Sequence, residues 1–425
     1  MIKYDLPKWS ITQQLALRAF SIYLILYFTF VSYFGDGDFV FRYINPGLQS
    51  LYSAFANFSY KLFFQHEFKE KPIIDSYLTY TAVFSFLLIA VASAIIWTAI
   101  DKGKRLLKLY KYMHVFARFY LAIILFDYAI DKLCLLQFTL HPAQFLQPVG
   151  NMDPHILFWL FVGSSKGYQF FGGLMEMTAI IFLLFRRTAT FGGLISLAFL
   201  INILILDVGY DTPVKVTVFH LLLFDVMVLV PDIKRLFEFF ILGKNKNLTN
   251  IPPLIENKKY RFAAVLAKIC FICYIIFPAI YYEWKAVNEF GQPSHIKLVG
   301  LYKINEFSRI PTAGIPGSID TVSWKQLAID NFPVLTVQKA NDSIADYHFE
   351  ADTLHKFLIL KDWGDPAFVC NLHYSNNKAN EWLFDGVFKN DSIRFSTTQI
   401  NIFDLPLLKG YGKIKWEWKH KGYSN

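Results

Sequence analysis

The sequence predicts an α-helical transmembrane bundle of about seven helices followed by a small all-β domain on the outer side of the membrane. Three observations predict this. Hydrophobic residues make up 54% of the 425 positions and charged residues only 18%, whereas a soluble domain carries about 25% charged residues. Apolar runs long enough to cross a hydrocarbon core of about 30 Å recur through the first two thirds of the chain. From about residue 295 onward the pattern changes to short polar–apolar alternation broken by turn residues.

The qualifying apolar runs are 12–34, 79–100, 114–136, 168–186, 189–207, 214–231 and 262–282. The first, from Leu15 to Phe34, is too long for a cleavable signal, and no small-residue cleavage site follows it. The fourth and fifth are joined only by Arg186-Arg187-Thr188, a tight helical hairpin. The segment Leu48 to Phe68 is apolar but interrupted by polar residues, and reads as an amphipathic helix along the outer membrane surface. The 44 Phe and 24 Tyr suit helices that meet lipid and end in aromatic belts.

Orientation follows from the cations. Lys3 and Lys8, the cluster Lys102, Lys104, Arg105, Lys108 and Lys111, then Arg186 and Arg187, and finally Lys234 to Arg261 fall on one side, which is predicted to be the inside. The outer loops 137–167 and 208–213 hold only Lys166, although the loop 35–78 holds Arg42, Lys61, Lys69 and Lys71. The prediction is an integral inner-membrane protein with its N-terminus inside and its C-terminal domain outside. Its parts are 1–113 (two helices and an outer loop), 114–235 (a four-helix core), 236–290 (an inner loop and the last helix) and 291–425 (the periplasmic β domain).

In that last part, Val334 to Gln338, Phe357 to Lys361, Phe368 to Tyr374, Trp382 to Phe388, Ile393 to Ser396 and Lys413 to Trp418 read as strands. Turn signals stand at Pro311 to Gly314, Pro316-Gly317, Asn341-Asp342, Gly364 to Pro366, Asn376-Asn377 and Asn390-Asp391. About eight short strands in this length imply a small closed barrel or a sandwich.

Several function classes fail on pattern. The net charge of +9 sits in short inter-helix loops, so it marks membrane orientation rather than nucleic acid. Four cysteines are too few for a disulfide scaffold, and Cys270-x-x-Cys273 lies in an apolar run rather than near a βαβ unit, so it reads as two small buried core residues. The histidines lack metal-binding spacings, and His220 has no second axial partner for haem at matching depth. Gly163-Ser-Ser165-Lys-Gly167 fits G-x-S-x-G, yet a strand must precede that motif. Here it reads as a Gly-Ser turn entering the fourth span.

The chemistry concentrates in polar residues within apolar runs, where an ionised side chain costs at least ~2.5 kcal/mol. Counting about 1.5 Å per residue places Asp131, Lys132, Glu176, Asp207, Asp211, Lys215 and His220 in the outer half of the four-helix core. They read either as a polar pocket for a small polar or quinone-like ligand, or as buried ion pairs holding the helices in register. Arg18 and Arg118 are within snorkelling reach of the inner surface, and Asp225 is near enough to that side to pair with Arg186 or Arg187.

The residues Phe126 to Lys132, Phe171 to Glu176 and Phe185 to Thr188, with Tyr210 to Lys215 and His220, resemble the DoxX-like four-helix membrane proteins over about residues 114–235. That resemblance implies a Lys near the outer end of one helix, Lys132, and a Gly-x-x-Glu in the next, ending in Glu176. It also implies an association with quinone-linked sulfur oxidation and membrane oxidoreductase complexes. The C-terminal part resembles lipocalin-like barrels through its strand count and its opening Gly300 to Asn305.

Two functions follow as expectations. In the first, the chain is a quinone-linked redox component: Glu176 relays a proton, Lys132 stabilises the reduced ring, and Asp131, Asp207, Asp211, Lys215 and His220 line the ligand site. Quinone is the cofactor this reading requires. In the second, the chain is a non-enzymatic, membrane-anchored binding or assembly protein whose β domain holds a lipid, quinone or envelope partner.

Overall fold

The computed structural model describes residues 10–31, 45–65, 75–101, 105–245, 257–290, 298–310, 323–364, 369–378, 380–388, 391–409 and 411–413. The chain divides into two compact units, Met1–Asp131 with Gly172–Tyr282, and Lys132–Phe171 with Glu283–Asn425.

The first unit is helical. α1 (Ile11–Phe30) starts at a capping box in which the Ser10 hydroxyl accepts from the Gln13 N–H and the Gln13 amide accepts from the Ser10 N–H. α2 (Asn45–Phe64) buries a stripe of Tyr52, Ala56 and Tyr60 at four-residue spacing. That stripe meets α3 (Tyr77–Asp101): the Tyr52 hydroxyl donates to Thr79 Oγ1 at 3.1 Å, and Phe55 stacks on Phe86 at 4.9 Å. The other sides of α2 are exposed and mixed, with Leu51, Phe58 and Leu62 beside Gln49, Ser50 and Lys61.

α4 (Leu106–Leu133) begins about two turns before the expected span, so Lys108 and Lys111 are helical rather than in a loop. α5 (Pro154–Gly163) is a short apolar helix. α6 (Lys166–Leu184) and α7 (Ala189–Gly209) form the expected hairpin. α8 (Lys215–Leu229) and α9 (Ile233–Phe240) meet at an 80° bend beside Pro231, which cannot donate to the helical ladder. α10 (Lys258–Phe290) carries Pro278 within it. Among the described residues, six helices are long and apolar enough to cross a membrane, or up to seven if α8 and α9 make one span.

Two adjacent glycines set the spacing of this bundle. A β-carbon at Gly192 would fall 2.7 Å from the Leu183 amide nitrogen on α6, and one at Gly193 would fall 2.9 Å from Leu229 on α8. α7 thus approaches a neighbour on each side at distances that only glycine allows. The apolar core continues through Phe28 against Phe116 at 4.9 Å and Tyr120 against Phe224 at 4.2 Å.

The second unit is built on an eight-stranded, wholly antiparallel closed barrel. Its strands are β1 (Gly300–Ile310), β2 (Trp324–Ile329), β3 (Val334–Lys339), β4 (Ile344–Asp352), β5 (Phe357–Asp362), β6 (Val369–Lys378), β7 (Glu381–Phe388) and β8 (Asp391–Ile400). Each pairs with the next, and β8 closes on β1 from Leu301 opposite Ile400 to Ile310 opposite Ser392. Closure removes the open edges that a sheet of this length would expose.

The barrel corrects some strand expectations. β1, β2 and β4 were not among the runs read as strands. Asn376 lies inside β6 at a bulge opposite Trp382, rather than in a turn. Most of the run Lys413 to Trp418, and the turns at 311–317, lie outside the described residues.

Aromatic and aliphatic side chains fill the barrel interior. Tyr302, Trp324, Phe384 and Phe395 are buried together, and Phe384 stacks on Phe395 at 5.0 Å. The buried Tyr302 hydroxyl is satisfied by donating to Leu298 O at 2.6 Å.

Residues 132–171 belong to the same unit as the barrel. Leu146, after the 3-10 turn Pro142–Phe145, is buried with Leu301 of β1 and Ala328 of β2. His141 Nδ1 lies 3.1 Å from both carboxylate oxygens of Asp330, and its Nε2 lies 2.9 Å from Thr139 Oγ1.

The four cysteines are free, and Cys270 is exposed on α10, which corrects the expectation that the C-x-x-C is buried in a core. Cys370 is buried inside the barrel, where desolvation pushes its thiol up to about 12. In a protein with the other three cysteines changed to Ser, Cys370 should resist iodoacetamide at pH 8 until denaturant is added, because so little thiolate is present. Rapid labelling of the native protein would show an open barrel.

Candidate functional site

Two arrangements of polar residues in the helical bundle lie along α8. The first surrounds the start of α8. The chain leaves α7 through a turn in which the Thr212 N–H donates to Asp207 O at 2.9 Å and Asp211 takes a left-handed backbone with φ 52°, a conformation that aspartate tolerates better than most residues. Lys215 then begins α8, and its Nζ donates to Asp211 Oδ1 at 2.7 Å.

A residue absent from the sequence expectation completes this corner. Asp75 accepts from the backbone N–H of Lys215 at 2.8 Å and of Val216 at 2.9 Å, one carboxylate oxygen on each. It also stands 3.8 Å from Lys215 Nζ. The first amides of a helix lack intrahelical acceptors and carry partial positive charge, so a carboxylate there is both a cap and a favourable charge. No local pattern points to Asp75, because its partner lies 140 positions away.

The second arrangement holds His220, which is buried on α8. Its Nδ1 lies 2.6 Å from Val216 O, a group that can only accept, so Nδ1 carries the proton. Nε2 therefore accepts from the Tyr23 hydroxyl at 2.8 Å. Tyr27 stacks on the ring at 3.6 Å with a 2° interplanar angle. Both ring nitrogens are thus used inside the protein, and His220 joins α8 to α1.

The remaining predicted site residues stand as follows. Glu176 is buried on α6 and Asp207 is buried at the end of α7. Asp131 is half-buried and Lys132 buried in the last turn of α4. Asp211 is exposed. The structure brings Asp211 and Lys215 together, with Asp75, and directs His220 to the tyrosines of α1.

Three side chains near the other ends of the helices depart from expectation. Arg18 does not snorkel: it is 1% exposed, bonds Asp101 Oδ2 at 2.7 Å and lies 5.3 Å from the Trp97 ring. Arg118 is buried and its Nε donates to Leu183 O at 2.9 Å. Asp225 does not pair with Arg186 or Arg187. It is 0% exposed, lies against Gly193 and Leu229, and has no hydrogen-bond partner on either oxygen.

The G-x-S-x-G pattern is a helix–turn–helix, with α5 before it and α6 after it. The Ser165 hydroxyl accepts from the Tyr168 N–H at 3.3 Å and so caps α6, as the turn reading expected. Among the described residues, no group of three His, Cys, Asp or Glu is placed to hold a metal ion.

Comparison with known proteins adds one relative. The uncharacterized protein YwoB of Bacillus subtilis (strain 168) is 30% identical over 125 residues, which cover 27% of this chain and 74% of the relative. The chain belongs to the family of that protein. No family model matches the chain, and no solved structure matches it.

The Asp75 cap is open to test. Asp75→Ala should lower the stability of the purified protein by about 1–2 kcal/mol, read as an earlier midpoint in thermal or SDS unfolding, with Asp75→Asn losing less. An unchanged midpoint for Asp75→Ala would remove the cap from the account of α8.

Proposed function

We propose that this DoxX-like membrane protein is a non-enzymatic, membrane-anchored binding or assembly protein. In this reading its helices hold it in the inner membrane, N-terminus inside, and its β barrel engages an envelope or lipid partner on the outer side. The observation that carries the reading is internal satisfaction. His220, the side chain best suited to hold a quinone oxygen, spends both nitrogens on Val216 O and Tyr23, and Lys215 is paired with Asp211. The barrel interior is occupied by its own aromatic side chains, which leaves its surface for recognition. On that surface Leu354 and Trp363 are 83% and 66% exposed, and exposed aromatics are favoured anchors in interfaces.

A second reading has its own support. Glu176 and Asp207 are each 2% exposed on helices apolar enough to lie in lipid, where acidic groups are costly and usually serve ion, proton or substrate chemistry. That favours a quinone-linked redox component, with Glu176 as the proton relay and Lys132 beside the reduced ring.

One experiment separates the two. Purified full-length protein is mixed with a soluble quinone analogue and thiosulfate or sulfide, and quinol formation is followed. The binding reading expects no turnover above a protein-free control. It also expects a defined envelope protein to crosslink to the wild type in stoichiometric yield and to be lost with Leu354→Ser and Trp363→Ala. Quinol formation that Glu176→Gln abolishes would replace it with the redox reading.

A further inference from the structure

The carboxyl end of α6 presents a second, chemically different feature. Its last carbonyls have no intrahelical donors and carry partial negative charge. Two cations cover them: Arg118 of α4 donates to Leu183 O, and Lys268 of α10 donates to Leu184 O. Lys268 is further held over the rings of Phe119 at 5.4 Å and Phe185 at 5.1 Å. Among the described residues, neither Arg118 nor Lys268 forms a salt bridge with an acidic side chain, and their charges repel each other.

An apolar groove runs away from this cationic corner. It is lined by Phe119, Ile123 and Phe126 of α4, Ile180 of α6, and Ile272 and Ile276 of α10. The spacing is informative. Lys268, Ile272 and Ile276 recur every four residues, so one stripe of α10 carries the ammonium at its head and two branched apolar side chains behind it. From Lys268 to Ile276 that stripe is about 12 Å long by helical rise. Phe119, Ile123 and Phe126 repeat the same logic on α4, one position after Arg118.

Capping alone accounts for one hydrogen bond from each cation. It does not account for two like charges held side by side without an acidic partner among the described residues, nor for their alignment with an apolar trough on helices apolar enough to cross a membrane. Cationic sites between spanning helices suit anionic lipid headgroups, and a trough of this lining suits an acyl chain. We propose that the α4–α6–α10 groove is a binding site for one anionic phospholipid, its phosphate at Lys268 and Arg118 and one acyl chain along Ile272 and Ile276. The site is independent of the functional reading above.

The test uses full-length protein purified in a neutral detergent. Phosphatidylglycerol, phosphatidylcholine or inorganic phosphate is added, and lipid retention is read by native mass spectrometry alongside the thermal midpoint. Phosphatidylglycerol should be retained at one per chain and should raise the midpoint, whereas phosphatidylcholine and inorganic phosphate should do neither. Lys268→Gln should weaken retention about fivefold, and Ile272→Trp should abolish it by filling the trough. If Ile272→Trp does not fold, Ile276→Trp serves the same purpose. Equal retention of phosphatidylcholine would overturn the headgroup assignment. Protection by inorganic phosphate equal to that by phosphatidylglycerol would reduce the site to an anion corner without a lipid. Undiminished retention by Lys268→Gln would remove the cation from it.

Discussion

A polar group on an apolar helix has to find its partner within the protein, and the bundle is organised around that constraint. In lipid there is no water to accept a stray hydrogen bond, so each such group either joins two elements or loses its charge. His220 ties α8 to α1 through Tyr23. Arg18 ties α1 to the end of α3 through Asp101. Arg118 and Lys268 tie α4 and α10 to the end of α6, and Asp75 ties the start of α3 to the start of α8. Hydrophobicity cannot choose among helix neighbours when the solvent is itself apolar. These bonds, with the close approach at Gly192 and Gly193, make the choice. Asp225 departs from that pattern. It is fully buried against Gly193 and Leu229, with no hydrogen-bond partner on either oxygen.

The same constraint explains what the sequence disclosed and what it withheld. Helices were legible because an apolar run of sufficient length has one economical structure in lipid, and α3, α6, α7 and α8 fall within a few residues of the expected spans. Strands such as β3, β5 and β7 were legible from alternation. β1 and β4 were not, because Lys303, Glu306, Asp346 and Glu350 interrupt their apolar residues with charge. The barrel tolerates those charges on its outer face, where Lys361 bonds Glu350 and the pairing holds the Glu350 carboxyl below its ordinary range. Depth along a helix was also readable from position. Azimuth was not: counting residues placed His220 beside Lys215 in one pocket, yet the ring faces α1, while Lys215 faces Asp211 and Asp75. Equal depth is a weaker condition than a shared face, and a single sequence supplies only the former.

The barrel illustrates how a part can depend on residues far from it in the chain. Closing a sheet removes edge strands but still leaves an outer face, and Leu301 and Ala328 give that face an apolar patch. The patch is covered by Ala143, Phe145 and Leu146, residues inserted between two helices of the bundle. Asp330 lies just after Ala328 and bonds His141, 189 positions earlier, just before that covering turn. An apolar cover and a polar anchor within a few residues of each other on both segments make a directional contact: the apolar part supplies area and the imidazole–carboxylate bond fixes register. A barrel expressed from residue 298 onward would therefore expose Leu301 and Ala328 and leave the Asp330 carboxylate without its histidine. The segment 132–171 is for this reason a structural part of the β domain, although its place in the sequence lies wholly among the helices.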